Sequence, residues 1–310
     1  MASPRVSVGL PVHNGQRYMR EAIDSLLAQT FEDFELVISD NASTDATADI
    51  SSDYARRDSR VRFVRSEVNR GLVWNFNNVF RLARGEYYKW LAHDDLCAPH
   101  FLRVCVDVLD RRRDFVLCVP MAVLIDARGQ AYPLPRCRPH PMRVDSPRPH
   151  ERFHDMLCCR GHGRLTMFGL IRSNVLARTA VLAPYVASDV ALLAELALHG
   201  PFCEVPERLS LIREHPARHT LAVSWAQSRG GLFAPSLAGR PIFPSWRMLW
   251  ELVGAVRRSG LDAGERRRCL MAVAAWAWRD KSHLRQDVGR FLYSLTIGRG
   301  KHLYGTAPGA

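Results

Sequence analysis

Within the first 95 residues, short apolar runs alternate with segments of helical periodicity, and that alternation leaves few folds open to the chain. Val6, Val8 and Leu10 alternate with small residues until Pro11, Asn14 and Gly15 close the run with turn chemistry. Tyr18, Met19, Ala22, Ile23, Leu26 and Leu27 then recur at helical spacing. Phe34 to Ser39 reads as a second strand, and Ser43 or Thr44 in the loop after Asp40 is placed to cap the next helix. Val61 to Val64 is a third strand. A turn at Asn69, Arg70 and Gly71 opens a helix carrying Trp74, Phe76, Val79, Phe80 and Leu82, which Gly85 ends. With the apolar run that begins at Tyr87, four strands are separated by three helices. This order predicts a mostly parallel, doubly wound α/β sheet with helices on both faces.

The fourth strand lies in YYKWLAHDDLCAP (87–99) and stops abruptly at His93, Asp94 and Asp95. The C-terminal edge of an open α/β sheet is where ligands bind, because the strand fixes the backbone while the following loop presents side chains. Adjacent carboxylates repel unless a positive group stands between them and a ligand. Mg²⁺ or Mn²⁺, held through one or two carboxylates and the oxygens of a diphosphate, meets that need. The plainer reading is a solvated turn that caps the following helix.

Farther on, a helix is expected from Pro99 to Asp110, and a strand from Phe115 to Ile125 enters a hairpin turn at Asp126 to Gly129. Tyr132 to Arg152 is too broken by proline for regular structure and suggests a mobile flap. Met167 to Arg172 resembles another strand. Ser188 and Asp189 begin a helix that Gly200 and Pro201 end. A strand pair, Phe202 to Val205 and Leu209 to Ile212, leads to Arg213, His215 and His219. Residues 220–245 are punctuated by Gly and Pro, and helical patterns near 246–258, 264–278 and 283–297 form a C-terminal extension. Neither GxGxxG after the first strand nor GxxxxGK[ST] anywhere is present, which argues against an ordinary dinucleotide or P-loop site.

Composition adds bounds. At 310 residues, 47% hydrophobic and 24% charged, the chain has the make-up of a folded protein. The sequence has no uncharged apolar run of about 18 residues and no leader-like start, so neither a membrane span nor a signal peptide is expected and a cytoplasmic location follows. The eight cysteines form no CxxC pair, and Cys105, Cys118 and Cys203 read as reduced core residues. Residues 1–120 hold 16 Lys and Arg against 17 Asp and Glu, so the net charge of +12 belongs to the rest of the chain. That basic part is compatible with peripheral docking on an anionic membrane. Only Lys89, Lys281 and Lys301 are lysines, so an arginine-favouring genome explains the bias equally well. Cys137, His140, His150, His154, Cys158, Cys159 and His162 crowd one stretch, with His150, His154 and Cys158 on one helical face; the spacing is compatible with zinc but fits no closed four-ligand pattern.

The motifs VSVGLPVHN, ELVISDNASTD, NRGLVWNFN, YYKWLAHDD and ASDVALLAELALHG stand in the order found in family 2 glycosyltransferases, and the chain resembles that family over roughly residues 5–215. The resemblance implies a GT-A type fold. It divides the chain into a nucleotide-sugar-binding half (1–125), an acceptor-binding and catalytic half (126–215), and a flexible loop with C-terminal helices (216–310). By this likeness Pro11, His13 and Asn14 line the nucleobase, usually uracil, and Asp40 accepts from a base N–H. His13 stands where the family usually has tyrosine. Asn69 and Gly71 touch the nucleotide, Asp94 meets the ribose or a metal, and Asp95 holds the metal. HDD departs from the family's Asp-any-Asp in placing His93 where the first Asp often stands. Arg213 is expected near the diphosphate, His215 as a further metal ligand, and Asp189 as the base that deprotonates the acceptor.

The implied activity is a metal-dependent, inverting transfer of a sugar from a nucleotide diphosphate donor, UDP-linked in expectation, to a hydroxyl acceptor. That acceptor is soluble or lipid-linked, in glycan, glycolipid or natural-product assembly, and nucleic acid is not an expected partner. Two rivals remain at this level. A sugar-phosphate nucleotidyltransferase would normally show a Gly-rich loop after its first strand, and GLPVHNGQR is a poor one. A non-catalytic nucleotide-sugar-binding module would not need both Asp95 and Asp189.

Overall fold

The computed structural model describes residues 3–132, 143–158, 166–216, 233–237 and 242–296. Strands β1 (Val6–Val12), β2 (Phe34–Asp40), β3 (Val61–Arg65) and β4 (Tyr87–Trp90) alternate with helices α1 (Met19–Leu27), α2 (Thr47–Arg57) and α3 (Leu72–Arg81). All four strands are parallel, in spatial order β3-β2-β1-β4. This is the βα alternation expected from the apolar pattern.

The second half joins the same sheet. Helix α4 (Phe101–Arg111) leads to β6 (Leu117–Ile125), which turns back through Asp126–Gly129 into β7 (Ala131–Tyr132). Beyond it come α5 (Pro149–Cys158), β8 (Leu170–Arg172), α6 (Ser173–Leu176), α7 (Ser188–His199) and β9 (Phe202–Arg213). The full order is β3-β2-β1-β4-β8-β6-β9-β5, where β5 is the two-residue strand Leu96–Cys97. β8 is antiparallel to both β4 and β6, and β6 is parallel to β9. Helices α8 (Pro244–Arg258), α9 (Ala263–Arg279) and α10 (Lys281–Thr296) are the last elements among the described residues, within two residues of the expected positions.

The sheet separates two apolar cores. β1 turns Val6, Val8 and Leu10 toward α1 and α4, while Tyr88 and Trp90 of β4 face α3, α7 and α8. Gly9 makes the second face possible, because a Cβ there would lie 2.2 Å from the Tyr88 hydroxyl and 2.8 Å from Val79. Trp90 is fully buried with its indole N–H on the Phe76 carbonyl at 2.9 Å, as befits a core aromatic. Half-buried Trp74 carries the guanidinium groups of Arg70 and Arg81 against its ring, at 4.9 and 5.8 Å from the centroid.

Several expectations change. The predicted strand pair at 202–212 is one long strand, β9, whose register against β6 shifts around Pro120 and Met121; the break at Pro206 is a bulge rather than a turn. Residues 143–152 are no flap. Val144 is buried and its carbonyl accepts from the Phe202 N–H at 2.8 Å, while Arg152 donates to the carbonyls of Ala197 and Ser146. The rest of the expected flap, Pro133 to Pro141 and Met142, lies outside the described residues, as do Cys137, His140, Cys159, His162, His219 and most of 220–245. His150 pairs with Glu265 at 2.8 Å, and His154 meets Cys158 at 3.3 Å. No group of three metal-ligating side chains forms there among the described residues. Cys105 and Cys118 are core residues, but Cys203 is half-buried. Neither Ser43 nor Thr44 caps α2: the Asp45 carboxylate receives the Thr47 N–H and hydroxyl instead.

Candidate active site

Every expected nucleotide and metal residue lies at one edge of the sheet, the C-terminal edge of β1, β2, β4 and β9. Pro11 is still in β1, in register with Ser39, and Val12 pairs with Asp40. Past β1 the chain turns through Asn14 at φ 53°, a left-handed conformation asparagine tolerates better than most residues. The loop after β2 holds it there. The Asn14 N–H donates to Ser43 Oγ at 2.8 Å, the Gly15 N–H to Thr47 Oγ1 at 2.8 Å, and the Thr44 N–H to Asn14 Oδ1 at 2.9 Å.

Asp40 is completely buried at the end of β2. Its Oδ1 accepts the N–H of Ser43, three residues on, at 2.9 Å. Its Oδ2 lies 3.2 Å from Arg65 Nε without hydrogen-bond geometry, and so retains accepting capacity. Asn41 joins this loop to the start of α3: its amide nitrogen donates to Asn69 Oδ1 (2.9 Å) and the Gly71 carbonyl (3.2 Å), and its oxygen accepts the Arg70 N–H at 2.9 Å. These bonds orient the Asn69 amide, whose nitrogen faces His13 Nε2 at 3.3 Å. A nitrogen donor there makes Nε2 the acceptor, so a neutral His13 carries its proton on Nδ1, which is buried and unpartnered. The loop between β2 and α2 is further pinned by Asp45. Burial alone would raise its carboxyl, but bonds from the Thr47 hydroxyl and amide and the Gln16 amide outweigh that and hold it below the usual carboxylate range.

The second cluster joins the two halves of the chain. Just after Asp94 and Asp95, β5 pairs antiparallel with β9, Leu96 against Leu211 and Cys97 against Ser210. That pairing delivers Arg213 and His215 to the carboxylates. The Arg213 N–H donates to Asp95 Oδ1 at 2.8 Å, its Nε to the Asp94 carbonyl at 3.0 Å, and His215 Nε2 lies 3.0 Å from Asp94 Oδ2. The Arg213 side chain is fully buried, with Nη2 on Glu21 at 2.6 Å, Nη1 near the carbonyls of Asp126 and Ala127, and its guanidinium over the Tyr18 ring. Its donors therefore organise the loop that carries the carboxylates.

Oxygen donors on adjacent residues, anchored from behind by an amide and an imidazole, suit a hard divalent cation that keeps water and takes diphosphate oxygens. Among the described residues no three His, Cys, Asp or Glu side chains converge on one point. Asp94 and Asp95 would therefore hold such a cation together with water or diphosphate oxygens.

Asp189 comes from a third element, as the half-buried second residue of α7. Ala187 just before it has φ 70°, a strained conformation for a residue with a Cβ. Tyr185 is buried beside it, and burial, with Glu251 next, pushes its phenol well above the ordinary tyrosine range. Glu195 on the next turns of α7 accepts the Ala180 N–H at 3.0 Å and pairs with Arg258 of α8 at 3.0 Å, tying the preceding loop down.

Tyr18, Glu21, Asn41, Ser43 and Asn75 support this edge but were not among the site residues expected from the sequence. Asn75 donates to the Val12 and Ser39 carbonyls (3.2 and 2.9 Å), a strut between the ends of β1 and β2. A polar residue at a helical position otherwise facing the core was its only signal.

Comparison with known proteins gives the family. Residues 7–174 match the model of glycosyl transferase family 2. The chain belongs to that family. It is 38% identical over 109 residues to the uncharacterized glycosyltransferase RT0329 of Rickettsia typhi, covering 35% of this chain and 33% of that protein. It is 33% identical over 129 residues to the putative glycosyltransferase EpsE of Bacillus subtilis, covering 41% of this chain and 46% of EpsE. The match thus spans a third to a half of these relatives' length. In fold, the chain resembles S. aureus TarS 1–349 in complex with UDP-GlcNAc, with TM-score 0.63 and 15% identity over 93% of this chain and 80% of that one. It also resembles the mannosyltransferase PcManGT of Pyrobaculum calidifontis in complex with GDP-Man and Mn²⁺, with TM-score 0.54 and 16% identity over 97% and 77%. The GT-A type fold expected from the motifs is the fold observed.

Proposed function

We propose that the protein is an inverting glycosyltransferase that moves a sugar from a UDP-linked donor to a hydroxyl acceptor. The observation that carries this reading is the pairing of Asp94 and Asp95 with Arg213 and His215 at the same sheet edge as Asp40, His13 and Asn14. The uracil N–H is assigned to Asp40 Oδ2, and the Nδ1–H of His13 suits a base carbonyl. Residues 1–125 form the donor half and 126–215 the acceptor half. Asp94 and Asp95 would hold Mg²⁺ or Mn²⁺, which when bound neutralises charge on the departing diphosphate. Arg213 positions these carboxylates and does not itself reach the donor.

Asp189 accepts the proton of the acceptor hydroxyl as its oxygen bonds to the anomeric carbon. The bond from that carbon to the diphosphate oxygen breaks in the same in-line step. The nucleoside diphosphate leaves with the electron pair, and the anomeric configuration inverts.

Calorimetric titration with UDP, GDP and dTDP, each with and without Mn²⁺, tests the reading on the wild type, Asp95→Ala and Asp189→Asn. UDP is expected to bind with a manganese dependence that Asp95→Ala removes. Asp189→Asn is expected to bind UDP normally while transfer falls by about a thousandfold. Absence of nucleotide binding, or full transfer by Asp189→Asn, would overturn the corresponding assignment.

A further inference from the structure

Eleven large hydrophobic side chains are exposed among the described residues, and eight of them lie on α8, α9 and α10. An accident of composition would spread them over the whole surface. On α8 the outward line at helical spacing is Trp246, Trp250 and Arg257, opposite buried Met248, Leu252 and Ala255. On α9 it is Arg267, Met271 and Trp278, opposite buried Cys269, Val273 and Trp276. On α10 it is Arg285, Val288 and Leu292, opposite buried Leu284 and Asp287. Each helix therefore mixes apolar and cationic residues on the side it turns away from the protein.

Acidic residues of these helices are turned inward. Glu251 is paired with Arg247 at 2.8 Å, Glu265 with His150 at 2.8 Å, and Asp287 accepts the Ser245 N–H at 2.8 Å. Arg257, Arg267 and Arg285 have no carboxylate partner among the described residues. The ammonium of Lys281 sits 4.0 Å over the ring of Trp278, which is 73% exposed. Indole rings beside Arg and Lys suit the water–hydrocarbon boundary, where ring and alkyl stem are buried and the charge meets phosphate. A second copy of the same face would set like charges against each other. No helix among the described residues is long and apolar enough to cross a membrane, so the contact is peripheral.

We propose that the outward face of α8–α10 docks on an anionic lipid bilayer. Trp250, Met271 and Trp278 enter the headgroup boundary, and Arg257, Arg267 and Arg285 bind lipid phosphate. This does not rest on the transferase reading.

The test is co-sedimentation of the full chain with phosphatidylcholine vesicles, with and without about 30% phosphatidylglycerol. Binding to the anionic vesicles is expected to be at least about tenfold the stronger, to weaken at high salt, and to shift tryptophan emission to the blue. Arg267→Glu with Arg285→Glu is expected to lower partition about 25-fold, and Trp250→Ala with Trp278→Ala about tenfold. Far-ultraviolet circular dichroism checks that these variants fold. Equal or absent partition into the two vesicle types would overturn the proposal, as would anionic binding that both variants retain. A concentration-dependent dimer that Trp250→Ala with Trp278→Ala dissociates, in a protein that ignores vesicles, would assign the face to a second copy instead.

Discussion

Replacing Arg213 by methionine separates a structural role for this arginine from direct contact with a ligand. Methionine keeps most of the apolar stem and removes the guanidinium. In the fold that group is fully buried, with Nε at 3.0 Å from the Asp94 carbonyl and Nη1 at 3.3 Å from that of Asp126. Water cannot replace these donors, and each orphaned carbonyl costs about 1–3 kcal/mol. Loss of the stacking over Tyr18 adds about 1–2 kcal/mol. Glu21, 55% exposed, rehydrates at little cost, and removing a buried charge returns part of its desolvation penalty. The net destabilisation is about 3 kcal/mol, or about 6 °C in melting temperature for a chain of this size. Urea unfolding followed by tryptophan fluorescence reads the first figure, and differential scanning calorimetry the second. The backbone N–H to Asp95 survives the substitution, so UDP binding at a temperature where the variant is folded is expected to stay within about tenfold of wild type. An unchanged unfolding midpoint together with abolished UDP binding would refute this reasoning and place the guanidinium on the diphosphate.

Two further changes probe the surroundings. Gly71 has φ 91°, and a Cβ on it would meet the Phe233 carbonyl oxygen at 2.5 Å, so Gly71→Ala is expected to cost about 2 kcal/mol and to speed proteolytic cleavage near 233–237; wild-type thermal stability in the variant would remove that contact from the account. Burial, with Arg178 next, holds the His199 imidazole below its ordinary value of 6.5. The folded state therefore binds this proton less readily than the unfolded chain, so stability is full above about pH 6.5 and falls as acid protonates the site. His199→Gln is expected to lose that dependence, seen as a smaller drop in urea midpoint between about pH 7.5 and 5.5.

The first four strands and three helices were legible because apolar runs and helical periods alternate, with Pro11, Asn14, Asn41, Gly71 and Gly85 marking several of the boundaries. The three C-terminal helices were legible for the same reason. The β9 strand was misread because Pro206 is a turn signal locally, while in the fold it sits in a bulge of β9 opposite Pro120 and Met121 of β6. α5 was missed because the prolines around it outweighed a helix whose Phe153 and Met156 find partners only in tertiary contact. Asp94 and Asp95 stood out as adjacent carboxylates. Their anchoring did not, because Arg213 lies 118 residues from Asp95 and only the β5–β9 pairing joins them. Tyr18 and Glu21 look like ordinary positions of an amphipathic helix until Arg213 arrives beneath them.

The continuous ladder from β3 to β5 has a consequence for how such a protein can be rebuilt. Its two halves are not lobes on a linker: β8 is inserted between β4 and β6, and β5, from the first half, is stitched onto β9 of the second. A chimera cut between them would sever hydrogen-bonded strands at several seams and leave raw sheet edges on both pieces, each prone to pair with the wrong chain. Exchange of segments between relatives is therefore best made through loops grafted on an intact sheet, with Arg213 and Asp95 carried over as one unit.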